Sequence, residues 1–116
     1  MIDPEKLEKA EEEFKVCSPL FLALGDENRQ KVCLDLAAAG AEGINVADLS
    51  AKSTLSRPAI SHHLKILKDA GIVEPVKKGT QIFYRLHLKS AFFQVKALIN
   101  TIEEIITEEG TSEEKA

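Results

Sequence analysis

The sequence predicts a mainly α-helical fold with one small β-hairpin, and three observations carry that expectation. Apolar residues recur at spacings of three and four over most of the chain, the pattern of amphipathic helices. That period gives way to strict alternation only once, in "IVEPVKKGTQIFYRLHL", where Lys-Lys-Gly-Thr supplies a turn. Asp26, Asn45 and Ser56 precede apolar runs as N-caps, and Gly25 and Gly71 stand where helices end.

Each element follows from local chemistry. From Pro4 to Val16, Leu7, Ala10 and Phe14 mark one amphipathic helix. Ser18-Pro19 then reads as N-cap and first helical residue of a separate short helix ending at Leu24. The next helix, Glu27 to about Ala39, is expected to bury Val32, Cys33, Leu36 and Ala37 before the loop "GAEG". Asn45 caps a helix of about two turns, "VADLSAKS", and "TLS" turns the chain. Ser56 caps the helix that Gly71 ends, and there Leu64 and Leu67 fall within ~40° of Ile60 on the helical wheel, and the three bury. Pro58, Ser61, His62, Lys65 and Asp69 occupy the far side, with Arg57 and Lys68 flanking them. Pro75 confines the first strand of the hairpin to an edge. A last helix runs from about Lys89 to Thr107, with Phe92, Val95, Ile99, Ile102 and Ile106 in one stripe that Leu98 and Ile105 widen.

A chain of 116 residues accommodates one domain, here 1–110, with an acidic tail over 108–116. Apolar content of 44% and charged content of 29% are ordinary for a soluble globular protein. No run approaches the ~18 apolar residues of a membrane span. The start, "MIDPEKLEKAEEEF", lacks the apolar segment of a signal peptide, so the expected location is the cytoplasm, with no membrane partner. Cys17 and Cys33 are too few for a disulfide framework, and free thiols are expected.

The formal charge of -4 conceals an uneven distribution. Residues 1–16 and 103–116 are acidic, whereas 52–89 hold Lys52, Arg57, Lys65, Lys68, Lys77, Lys78, Arg85 and Lys89 against only Asp69 and Glu74. A basic segment between acidic ends is the electrostatic footprint of a polyanion binder.

Two short helices joined by a tight turn (45–69), the second polar outward, followed by a basic hairpin (72–88), make a helix-turn-helix with a wing. An α-helix fits the major groove, where its exposed side chains reach base edges. Arg57 and Lys65 offer cationic donors there, Ser61 and His62 short neutral ones, and Ala59 a close backbone approach. Lys77, Lys78 and Arg85 are suited to neutralise phosphates, with Thr80 and Gln81 as neutral donors. His63 lies about 60° from Ile60 at the edge of the core, so packing and a base contact both remain open for it. The stripe of the last helix (89–107) is too long for a small domain to bury alone. It is expected to form a homodimer with help from Leu7 and Phe14 of the first helix (1–16), so that two reading helices meet an inverted-repeat duplex.

The stretches "LFLALGDENRQKVCLDL", "NVADLSAKSTLSRPAISHHLKILKDAGIV" and "KKGTQIFYRL" resemble the ArsR/SmtB family of winged helix-turn-helix transcriptional regulators. The resemblance implies a homodimeric repressor that leaves its operator when an effector binds. It also places Ser56, Arg57, Ser61, His62 and His63 where family members meet DNA. The arsenic-sensing members carry Cys-x-Cys-Asp-x-Cys where this chain reads "NVADLS", with Asn45, Ala47 and Ser50 at the thiolate positions. Ser90, Thr101 and Glu104 fall where zinc-type members hold ligands, and no His follows His87. Zn²⁺ and softer ions need converging thiolates or imidazoles, so no metal site and no cofactor are expected. Some members sense oxidants or sulfide species through two cysteines, which leaves Cys17 and Cys33 as candidate redox residues beside a plain packing role. A winged-helix module that binds protein is the other alternative, disfavoured by lysine-rich surfaces. No paired acids, phosphate loop or nucleophile constellation points to an enzyme.

Overall fold

The computed structural model describes residues 2–108; the expected acidic tail lies outside them, apart from Glu108, which closes the last helix. In chain order the elements are α1 (Pro4–Leu24), α2 (Glu27–Ala39), a 3-10 turn (Gly40–Glu42), α3 (Val46–Ala51), α4 (Arg57–Asp69), β1 (Val73–Lys78), β2 (Gln81–Leu86) and α5 (Lys89–Glu108). This is the mainly helical fold with one hairpin that the sequence predicts. The caps are those expected: the side chains of Asp26, Asn45 and Ser56 accept from the backbone N–H of Arg29, Asp48 and Ala59.

Three expectations need correction. The first helix does not stop at Val16: α1 runs unbroken to Leu24 with Pro19 inside it. Ser18 is no N-cap, because its hydroxyl donates back to the Phe14 carbonyl at 2.8 Å, an interior helical bond. Pro19 is exposed, and the carbonyl that loses its partner to it is that of Lys15, itself an exposed residue. On α2 only Val32 and Leu36 are buried; Cys33 is half-buried and Ala37 exposed. The reason is angular, since Ala37 lies about 100° past Leu36 on the wheel. Finally, α3 ends at Ala51, two residues short of the end of "VADLSAKS".

The core joins all these elements. Leu20 and Ala23 of α1, Val32 and Leu36 of α2, Leu49 of α3, Ile60, Leu64 and Leu67 of α4, and Ile72 and Ala91 pack into one cluster. At the end of α4, the Gly71 N–H bonds the Lys68 carbonyl and the Ile72 N–H bonds that of Leu67, both at 2.9 Å. This closure requires the left-handed backbone that Gly71 supplies, φ 78°, and it drops Ile72 into the core at the start of β1.

The two strands pair antiparallel, Val73 opposite Leu86 through Lys78 opposite Gln81. The free edge of β2 is engaged by Ile44, which exchanges backbone bonds with Tyr84 at 3.0 and 2.9 Å. Pro75 sits opposite Tyr84, whose N–H and carbonyl point to Ile44, so no ladder bond is lost to the proline. The approach is close: a Cβ on Gly43 would stand 2.7 Å from the Tyr84 carbonyl oxygen, and Gly43 has φ 76°. The wing is therefore fastened to the segment leading into α3.

Helices α1 and α5 pack antiparallel, as the Lys6–Glu104 ion pair at 3.8 Å and the contact of Thr101 with Glu13 show. Ala10 and Cys17 of α1 and Ala91, Leu98 and Thr101 of α5 are buried.

Replacing Pro19 with Ala is expected to raise the unfolding free energy by about 1–3 kcal/mol, because an interior helical proline costs roughly that against alanine. Urea denaturation of the two proteins measures it. Unchanged or lowered stability would restore the break at Ser18-Pro19.

Candidate nucleic-acid interface

Helix α4 carries its apolar seam wholly inward, with Ile60 and Leu67 at 0% exposure and Leu64 at 1%. Everything opposite is therefore presented to solvent: Arg57, Pro58, Ser61, His62, Lys65 and Lys68 are all exposed. Lys65 meets Asp69 one turn on at 2.9 Å. Such exposed pairs are weak, and the ammonium can be traded to another anion at little cost. Ser56 spends its hydroxyl on the cap, accepting from Ala59.

His63 does not share that face. It is half-buried, and its Nδ1 stands 3.4 Å from the Arg29 guanidinium. Arginine has only donors, so Nδ1 accepts. The same guanidinium donates to the carbonyls of Ala23 at 2.6 Å and Leu22 at 3.3 Å. Arg29 thus ties the end of α1 to α4, and His63 belongs to that joint.

On the wing the expected cations divide into two sets. Lys78 is bound to the Glu42 carboxylate at 2.7 Å and to its carbonyl at 2.8 Å, and lies 4.7 Å over the Phe83 ring. The Lys78 hydrogen bond and charge hold the Glu42 carboxyl below its ordinary pKa. Arg85 bonds Glu74 across the hairpin at 2.6 Å and the Ala41 carbonyl at 3.3 Å. These two brace the wing. Lys77, Thr80 and Gln81 remain exposed near its tip, and among the described residues Lys77 forms no ion pair. Gln81 also accepts from the Asn45 amide at 2.9 Å, so the residue that caps α3 holds the wing as well.

A second surface lies on the α1–α5 pair. Leu7, Phe14 and Phe21 recur every seventh residue along α1 and are 48%, 47% and 44% exposed. On α5, Phe92 and Ile99 are exposed and Ile106 half-buried at the same interval. Val95 and Ile102, expected in that stripe, are half-buried, Val95 against the core. Each exposed stripe is displaced from its buried neighbour in the same rotational sense, and the helices are antiparallel, so both stripes lie on one side of the pair. Phe21 escapes the sequence reading because the supposed break at Ser18-Pro19 removes it from the register of Leu7 and Phe14.

Asn45 caps α3, Ala47 lies in its first turn and Ser50 near its end, Asn45 with its side chain already engaged. Among the described residues no cluster of three or more His, Cys, Asp or Glu is arranged to hold a metal ion. Among them, too, no helix is long and apolar enough to cross a membrane. Cys17 is fully buried, and its thiol pKa is raised by that burial and then by the charge of Glu13. Burial also raises that of half-buried Cys33.

The family model described as "Bacterial regulatory protein, arsR family" matches residues 42–75, the segment from the 3-10 turn through α4 into β1. The transcriptional repressor SdpR of Bacillus subtilis is 34% identical over 83 residues, covering 72% of this chain and 89% of that protein. An uncharacterized HTH-type transcriptional regulator, MJ1325 of Methanocaldococcus jannaschii, is 38% identical over 101 residues, covering 87% and 99% respectively. Among solved structures, an ArsR-like transcriptional regulator from Rhodococcus sp. RHA1 superposes with a TM-score of 0.62 at 30% identity, over 82% of this chain and 83% of that one. Fold and exposed helix together define a winged helix-turn-helix transcriptional regulator. The chain belongs to the ArsR family.

The raised thiol pKa values have a direct consequence, since the thiolate is the reactive form. Titration with a disulfide reagent at pH 7 should label Cys33 more slowly than a free peptide cysteine and leave Cys17 untouched until the protein unfolds. Rapid labelling of both in the native state would contradict this and revive the thiol switch.

Proposed function

We propose that this protein is a homodimeric, sequence-specific DNA-binding repressor that reads an inverted-repeat operator. The observation that carries the proposal is the outward face of α4, where Arg57, Ser61, His62 and Lys65 stand exposed behind a fully buried seam. Arg57 and Lys65 supply donors for guanine edges or phosphate, and Ser61 and His62 short hydrogen-bonding groups. Lys77, Thr80 and Gln81 meet the neighbouring backbone, while Lys78 and Arg85 keep the wing in place for that contact. His63 acts from behind, through Arg29, and Ser56 through its cap.

One α4 reads one half-site. The stripes Leu7–Phe14–Phe21 and Phe92–Ile99–Ile106 form the two-fold interface that brings a second α4 to the next major groove, ~34 Å away. SdpR is by its name a repressor, which supports the same direction of control here. The proposed effector is not a metal at the usual family positions: Asn45, Ala47 and Ser50 offer no thiolate, and the Asn45 amide is spent on Gln81 and the α3 cap. The raised pKa values of Cys17 and Cys33 weigh against thiol sensing. No catalysis, cofactor or membrane partner is invoked, and the place of action is the cytoplasm.

Arg57→Ala should weaken binding to an operator by ~1–3 kcal/mol if the lost contact is to a base edge, with circular dichroism unchanged. Lys77→Ala should weaken all duplexes alike and lower the log–log salt slope by about 0.9 per protomer. Changing Phe14 and Ile99 to Glu together should give folded monomers by sedimentation that lose the palindromic site. Wild-type affinity in Arg57→Ala would remove α4 as the reader, and a monomeric wild type at micromolar concentration would remove the half-site scheme.

A further inference from the structure

An open cleft of about 270 Å³ lies between α2 and the α3–α4 turn, and no residue of the wing lines it. Its polar lining is Asn28, Lys31, Asp35, Lys52, Ser53 and Thr54. Lys31 comes from α2, Lys52 caps the C-terminus of α3, and Thr54 lies in the turn before Ser56. Lys31, Lys52 and Thr54 are exposed, and among the described residues neither lysine forms an ion pair, although half-buried Asp35 shares the cleft. That differs from Lys78 and Arg85, whose charges are consumed within the molecule.

Placement gives the cleft its meaning. Helix α3 begins at Asn45, which holds Gln81 of the wing, and ends at Lys52, which borders the cleft. Seven residue steps of about 1.5 Å separate those ends by about 10.5 Å, comparable with the ~12 Å width of the major groove. The exposed face of α4 starts beside the cleft, at Arg57. Cations therefore flank the C-terminal end of the helix that crosses the duplex backbone in this motif, and the wing, with Lys77 exposed on it, is fastened to the other end.

Resting on the DNA-binding function proposed above, we propose that Lys31 and Lys52, with Thr54 as a neutral donor, hold a backbone phosphate on the strand opposite the one met by the wing. The reading helix is then clamped from both walls of the groove, and Asp35 moderates the grip by repelling the same phosphate. Contacts of this kind carry no sequence information, so their signature is a salt-dependent affinity for any duplex.

The test uses the full chain and a fluorescent duplex of arbitrary sequence, with anisotropy titrations across a range of salt. The double change Lys31→Ala and Lys52→Ala should lower the log–log salt slope by about 2 per protomer, near 0.9 for each contact. Asp35→Asn should tighten binding to the same duplex, an effect that a purely structural role for the cleft would not produce. A wild-type slope in the double variant with no gain in Asp35→Asn would overturn the clamp. If Arg57→Ala still weakens operator binding in that case, the DNA-binding reading survives and only the cleft is reassigned. A wild type that binds no duplex would overturn both. Thermal stabilisation by millimolar inorganic phosphate, lost in the double variant without any change in duplex binding, would assign the cleft to a free anion and also overturn the clamp.

Discussion

The burial of Ile60, Leu64 and Leu67 is the constraint on which the rest of the molecule depends. Three side chains at one-turn intervals fix the rotation of α4, and that rotation alone decides which residues can reach another molecule. Ser56 holds the start of the helix and the Gly71 closure holds its end, so α4 can neither slide nor fray without exposing the seam. A fully buried leucine or isoleucine is worth roughly 1.5–3 kcal/mol over an exposed one, far more than the exposed Lys65–Asp69 pair on the opposite side. The packed side is held by burial, and the exposed side is cheap to rearrange.

The wing and the α1–α5 pair are both tied to that helix through few, specific bonds. Ile44 and Tyr84 join the hairpin to the entry of α3, and Lys78–Glu42, Arg85–Ala41 and Asn45–Gln81 repeat the connection with side chains. At the other end, Arg29 donates to the last turn of α1 and meets His63 of α4. The unbroken course of α1 through Pro19 matters here. It makes a single rod of the residues that offer Leu7, Phe14 and Phe21 outward and of the carbonyls that receive Arg29.

What was legible in the sequence was whatever local chemistry determines. The cap, period and closing glycine of α4 are all contained within Ser56 to Gly71, and the helix appears as the sequence describes it. Ser18-Pro19 carries two local meanings, a helix start or an interior kink point, and only the packing of α1 along α5 decides between them. Phe21 joins the register of Leu7 and Phe14 only when the helix is continuous. The wing cations look alike in sequence, yet Lys78 differs from Lys77 because Glu42, 36 positions earlier, reaches it. The helical angle of His63 puts it at the core edge, and the fold supplies the partner, Arg29, from 34 positions away. The Lys31–Lys52 cleft is likewise invisible before two helices are brought together.

Selection of bound sequences from a random duplex pool tests the central claim, a two-fold pair of α4 helices reading DNA, most directly. The predicted result is an enriched inverted repeat whose half-sites are centred 10–10.5 base pairs apart, or a multiple of that, matching two reading helices on one face of the duplex. An unenriched pool, or a single motif without two-fold symmetry, would contradict it.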